Sequence, residues 1–398
     1  MPEELSAANV VVVGAGVVGC SIAFHLARTG ARVSVFDKGA IGAGMSARSG
    51  ALVRMHYTFK PEAELAWKSL GYFENWGDVV GGSCGFVRTG FSLIVAEKNA
   101  DKLRRNVAML KSIGVETEVI ERGELKRLEP AAFVDDVGLA AYEPRSGYAD
   151  PVATTESFAA AARASGANFN LNMPISALAH VGGRCVGATD ASGKTHEADF
   201  VCLAVGPWTD DLLLPFGTRI GIKPERAQIA FFSRAPALVH GICIDTITGS
   251  YLRPHGTDLT LVGLGALNPE EEASPDTFRE TNDLSFIELA RQRLAKRLPG
   301  LAEASYARGH AGIYDVSPDS RAVLGQVPGV TGLFVAAGFS GTGFKTSPAV
   351  GAAMAELILR AKSAVIDLSS FSFERLVSGE LIHPADEYAL GADFGHSL

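Results

Sequence analysis

The chain has 398 residues, more than one typical hydrophobic core holds, so two or three domains are expected. Apolar residues make up 47% and charged residues 20%, the balance of a globular protein. The net charge of −8 and the lack of a basic cluster exclude nucleic acid as an expected partner, and no run of about 18 apolar residues suggests a membrane span.

The start, MPEELSAAN, is acidic and lacks the apolar core of a signal peptide. A β-branched run (Val10 to Val13) then leads into Gly14, Gly16 and Gly19, with Val17 and Val18 between the last two. An apolar helix follows up to Gly30, and a second β-branched run (Val33, Val35) ends at Asp37 and Lys38. This strand–glycine turn–helix–strand–acid order is that of a dinucleotide-binding βαβ unit. Gly14 permits the tight turn, Gly16 lets the backbone approach a pyrophosphate, and Gly19 lets helix and strand pack. The helix N-terminus offers N–H groups and partial positive charge to the phosphates. Asp37 can accept the ribose hydroxyls and disfavours a 2′-phosphate, which points to FAD or NAD rather than NADP.

The next stretch, KGAIGAGMSARSGALVRMHYT, holds Ser46, Arg48, Ser49, Gly50, Ala51, Arg54, His56 and Tyr57. Its small residues suit neither a regular element nor a solvated linker, so it is expected against a ligand. Helical spacing is read at 61–77, 99–113, 121–128, 152–164 and 283–297, the last stopping before Pro299. A strand pair is expected around 168–200, ending in ADFVCLAVGPW with Gly206 and Trp208. Residues 220–264 are β-rich, with a hairpin turning near His255–Asp258. Tyr251 and Arg253 share one face of that hairpin, either towards a pocket or on a plain exterior.

A second glycine-rich strand-to-helix unit follows in the tail. The strand ends at Ala336–Ala337, and Gly338, Gly341, Thr342, Gly343, Phe344 and Lys345 form the loop. Ser347–Pro348 reads as the N-cap and N1 pair of the helix. Either this is an ordinary β–α turn, or its N–H groups face the electron-rich edge of a flavin. Two glycine turns over 300 residues apart suit a large, wrapped cofactor better than NAD. The fold class expected is α/β (α+β): a Rossmann-like FAD-binding domain (1–85, 146–215, 310–398) interleaved with a β-sheet-rich substrate domain (86–145, 216–309). The five cysteines (Cys20, Cys84, Cys185, Cys202, Cys243) lack CxxC spacing and read as free thiols of a cytoplasmic protein. The nine histidines include no HxH or HExxH, so no metal is expected.

These motifs resemble the FAD-dependent glycine/D-amino-acid oxidase-like flavoproteins. The sarcosine oxidase branch, with heteromeric beta subunits and dimethylglycine oxidases, is the most similar. The markers are GAGVVG at 14–19, GMSARSGALVRMHY at 44–57, FVRTGF at 86–91, LAVGPW at 203–208, PERAQ at 224–228, YLRPHG at 251–256, GIYDVSPDSRAVLG at 312–325 and AAGFSGTGFKTSPAVG at 336–351. The resemblance implies FAD and hydride transfer from a secondary, tertiary or cyclic amino acid to flavin N5. It also implies a substrate carboxylate clamped at the positions of Arg54 and Lys345. An Arg presents a planar fork suited to a carboxylate, although a surface salt bridge would also explain Arg54, and helix-terminal solvation Lys345. His56, Tyr57, Tyr251 and Arg253 are further candidates for contact with substrate or flavin. The sequence departs from the family in three ways. Gly312 stands where some relatives carry a flavin-linking Cys, so FAD is expected to be non-covalent. No His occurs between residues 57 and 179, so the second, His-linked flavin of heteromeric relatives is not expected. The strand 259–264 lacks the Lys that assists oxygen reduction, so the acceptor is either oxygen or an electron-accepting partner protein.

Overall fold

The computed structural model describes residues 8–265 and 273–388. The signal-peptide expectation for the first residues falls largely outside the described residues. Among those described, no helix is long and apolar enough to cross a membrane.

A six-stranded sheet forms the dinucleotide half, in the order 323–326, 333–337, 200–203, 9–13, 32–36 and 168–170. All neighbours are parallel except the first pair. The strands Asn9–Val13 and Arg32–Phe36 lie side by side, Val10 beside Val33 and Val13 beside Phe36. The helix Val17–Arg28 between them packs against the helices Pro151–Ala164 and Gly343–Arg360. Its crossing with the last is close, because Gly351 faces Ser21 where any Cβ would collide. Parallel strands buried on both faces need continuous apolar runs, which is why the valine strings sit here.

An eight-stranded sheet forms the other half, in the order 306–316, 223–233, 259–264, 250–255, 242–245, 91–95, 139–143 and 118–120. Only the 242–245 and 91–95 pair is parallel. The strand Tyr306–Val316 pairs along its length with Lys223–Ser233 and runs through the boundary expected at 310. Gly312 and Tyr314 therefore ride on the sheet.

Two local expectations are corrected. The "strand pair" near 168–200 is five strands. The first and last join the six-stranded sheet, and 175–181, 184–190 and 195–197 form a small antiparallel sheet. The tail helix begins at Gly343 after an N-cap at Thr342, a full turn before Ser347, and Pro348 lies inside it. The proline removes one helical N–H, but the Ser347 hydroxyl donates to the Phe344 carbonyl at 2.9 Å and fills the gap.

Candidate active site

The two sheets enclose a cavity of about 1200 Å³, lined from segments scattered across the chain. Its dinucleotide end is built mostly from backbone. Gly14 adopts φ +108°, and a Cβ on Gly19 would drive into the Gly14 carbonyl. Gly19 therefore makes the turn without lining the cavity, whereas Gly14, Gly16, Val17 and Val18 line it. Asp37 accepts from Ala15 N at 2.6 Å and from Gly39 N at 2.7 Å, so it also staples the turn. The Ser46 hydroxyl accepts from Val17 N at 2.9 Å, at the open end of the helix.

Lys38 and Trp208 meet at the rim. The Lys38 ammonium lies 3.8 Å from the Trp208 ring centroid, and both donate to Asp276, at 2.6 and 3.0 Å. Arg48 pairs with Glu280, and Gly206, Ser49, Gly50 and Ala51 complete this part of the wall. Ala51 and Ser340 both sit at positive φ, 53° and 51°, where a side chain costs about 1 kcal/mol or more. Strain is thus held in both loops beside the cavity. Gly312 lines the cavity, and a Cβ there would press on the Arg48 side chain.

The other end is built from side chains. Arg54 is 5% exposed, which excludes a surface salt bridge. Its guanidinium donates to the His56 carbonyl and lies 4.5 Å from the Tyr57 ring centroid. Lys345, on the first turn of its helix, is also buried, with Nζ 3.3 Å from the Gly341 carbonyl. Burial, reinforced by the Arg54 charge and partly offset by Glu62, pushes its pKa down to about 7. Gly341, Thr342, Gly343 and Phe344 line the same wall; Gly338 does not, and its N–H donates to Asp315 at 2.8 Å.

His56 and Tyr57 follow Arg54 into the cavity wall. Burial, then the Arg54 charge, pushes the imidazole pKa down to about 3, so the ring is neutral. Its Nδ1 and the Tyr57 hydroxyl are buried with no hydrogen-bond partner among the described residues. Two carboxyls stand behind the cations. Glu143 accepts from Ser146 Oγ at 2.6 Å and Met55 N at 3.0 Å, and Glu62 lies 3.3 Å from Arg321. Burial raises both to about pH 7.

Tyr251 lines the cavity, its ring wedged between Gly50 and Gly263. Arg253 does not line it. The guanidinium stops at the Gly50 carbonyl (2.6 Å) and the Pro254 carbonyl (2.9 Å), over the Tyr148 ring. Sharing a strand face with Tyr251 brought it to the same loop, where backbone acceptors satisfy it short of the cavity. Residues outside every motif also reach the wall, among them His383, Glu387 and Tyr388, and so does Arg321, which lies in the 312–325 marker but is not singled out by it. No local spacing marks them, because only the tertiary fold brings them there.

The family model for FAD dependent oxidoreductases, DAO, matches residues 9–357. The chain belongs to this family. Glycine oxidase from Geobacillus kaustophilus is 27% identical, covering 92% of this chain and 97% of that protein. Sarcosine oxidase subunit beta from Rhodobacter capsulatus is 24% identical over 96% and 91% of the two chains. Among solved structures, L-proline dehydrogenase from P. horikoshii superposes with a TM-score of 0.87 at 26% identity, covering 94% of this chain and 99% of that one. This DAO-family protein is therefore an FAD-dependent oxidoreductase acting on amino acids or amines. Among the described residues, no group of His, Cys, Asp or Glu could hold a metal ion.

Proposed function

We propose that the enzyme oxidises a small amino acid whose amine is secondary, tertiary or cyclic, of the sarcosine, dimethylglycine or proline type. One observation carries this reading. Two buried cations, Arg54 and Lys345, share a cavity wall, and among the described residues neither has a carboxylate within ion-pair distance. Two unpaired like charges in a buried site are costly, and a substrate carboxylate relieves both. The Arg54 fork supplies direction, and Lys345 supplies a point charge. Their joint positive potential also disfavours an ammonium nearby, so the bound amine is held neutral, as oxidation at its neighbouring carbon requires. Leu93, Ile244 and Leu264 on the cavity wall help exclude water. The similarity to L-proline dehydrogenase and to sarcosine oxidase subunit beta supports the cyclic and N-methyl classes.

FAD fits the remaining cavity. The glycine turn, Asp37, Ser46, Arg48 and the 49–51 loop would hold its adenosine and phosphates, and the Gly341–Lys345 loop its ring. The positive-φ Gly14 and the close-packed Gly14–Gly19 turn, which leaves the helix N-terminus on the cavity wall, favour this occupancy. When bound, FAD supplies a two-electron acceptor for the hydride. Gly312 offers no side chain for a thioether, so attachment is non-covalent.

The test is anaerobic bleaching of the yellow enzyme by sarcosine, dimethylglycine, proline, hydroxyproline, pipecolate, glycine and D-amino acids. Bleaching by an N-alkyl or cyclic amino acid is expected; bleaching only by primary amino acids, or by amines lacking a carboxylate, would overturn the reading. The lysine-free strand 259–264 and the likeness to a sarcosine oxidase subunit favour a second reading of the acceptor, a partner protein rather than oxygen. Slow reoxidation in air but fast reoxidation by a dye would support it.

A further inference from the structure

The substrate end of the cavity has a wall from the far end of the described chain. After the short helix Glu374–Ser378 the backbone reverses at Gly379 (φ +77°) and runs without regular structure to Tyr388. Polar contacts stitch this segment down on two sides. On one, Ile382 N lies 3.3 Å from the Asp319 carboxylate, and Glu387 pairs with Arg321. On the other, the helix Ala100–Ser112 holds it. Arg105 pairs with Asp386 at 2.7 Å, Asn106 Nδ2 donates to the Asp386 carbonyl at 3.0 Å, and Lys102 Nζ to the Glu387 carbonyl at 2.6 Å. The segment thus bridges the two halves of the molecule across the cavity.

Its last described residue reaches the site. The Tyr388 hydroxyl lies 2.7 Å from His56 Nε2, the rings stack at 5.9 Å, and Tyr388 packs on the cluster containing Leu52, Phe91 and Leu93. His383, Glu387 and Tyr388 all line the cavity. The phenol can donate to or accept from Nε2, so in either tautomer it holds the His56 ring in place with Nδ1 buried. The Arg105–Asp386 pair is partly exposed and worth about 0–1 kcal/mol, whereas Glu387 pairs with a buried Arg321. Held by a few polar contacts, the segment opens more readily than the core beneath it.

We propose that residues 380–388 form a strap closing the substrate end of the cavity, and that Tyr388 is the residue that limits the size of the carboxylate-bearing ligand admitted there. This rests on the reading that Arg54 and Lys345 hold the carboxylate. The Tyr388 ring sets the size limit; its hydroxyl orients His56.

The test uses the FAD-loaded enzyme and three amine-free acids, acetate, benzoate and 2-naphthoate, with dissociation constants read from the flavin absorbance shift. Wild type should discriminate against naphthoate relative to acetate. Tyr388→Ala should narrow that ratio about tenfold. Tyr388→Phe keeps the ring and should leave the ratio alone, while weakening all three acids about threefold through the loosened His56. Asp386→Asn, outside the cavity, should weaken all three a few-fold by loosening the strap, at unchanged flavin content. An unchanged size ratio in a fully flavin-loaded Tyr388→Ala enzyme would overturn the strap. If instead no acid perturbs the wild-type flavin, while the matching neutral amides do and their size ratio narrows in Tyr388→Ala, the carboxylate reading fails and the strap stands.

Discussion

The two ends of the cavity are made by opposite means. At the dinucleotide end the backbone does most of the work. Gly14 to Gly19 turn so that a helix N-terminus opens into the cavity, and the side chains of Asp37 and Ser46 tie the turn by accepting its N–H groups. At the substrate end side chains dominate: Arg54, His56, Tyr57 and Lys345 are buried, Tyr388 is partly buried, and His56 Nδ1 and the Tyr57 hydroxyl have no partner among the described residues. On the proposed reading, affinity for the cofactor resides in backbone conformation, and selectivity for the substrate in charge and shape.

Each end can be perturbed without the other. The largest effect is expected at Gly19, where a Cβ meets the Gly14 carbonyl. Gly19→Val should yield protein without bound flavin, seen as loss of absorbance near 450 nm, which is roughly where oxidised flavins absorb. Asp37→Ala comes next. It removes charge-assisted hydrogen bonds worth about 1.5–3 kcal/mol, so FAD affinity should fall roughly ten- to hundredfold while substrate KM at saturating FAD stays near wild type. If KM moves as much as FAD affinity, the two ends are not separate devices.

The substrate end should respond to pH. Burial and the Arg54 charge hold the Lys345 pKa near 7, and only the protonated amine pairs with an anion. A carboxylate inhibitor such as acetate should therefore bind well below pH 7 and weaken up to about tenfold per unit above it. Lys345→Met should bind more weakly at low pH and flatten that slope, leaving only the part due to Glu62 and Glu143, which burial also raises to about 7. The smallest effect concerns attachment. Acid precipitation should leave the protein colourless and all the flavin in solution, because Gly312 carries no thiol; yellow precipitate would mean another residue is linked.

The same contrast explains what could be read from the chain. The βαβ unit was legible because turn, helix period and terminal acid lie within about thirty residues and depend on local backbone rules. The second glycine loop was legible for the same reason, but its helix start was misplaced at Ser347. A Ser–Pro pair normally marks an N-terminus, and here the Ser347 hydroxyl replaces the hydrogen bond that Pro348 removes. Arg253 stayed open for a different reason. Strand alternation gives its face, but only the folded Gly50 loop shows where its reach ends. Tyr388 was not legible at all, since nothing local joins it to the Arg54 segment, while Arg321 sits in the 312–325 marker without any local sign of its reach to Glu62.

On the proposed function, Arg54 and Lys345 together read a carboxylate. The direct measurement compares kcat/KM for the substrate acid and its amide in wild type and Arg54→Ala. Wild type should strongly prefer the acid. The variant should lose about 3 kcal/mol, roughly a hundredfold, on the acid and little on the amide, erasing most of the preference with the flavin spectrum intact. A variant that keeps the full wild-type preference would contradict the claim.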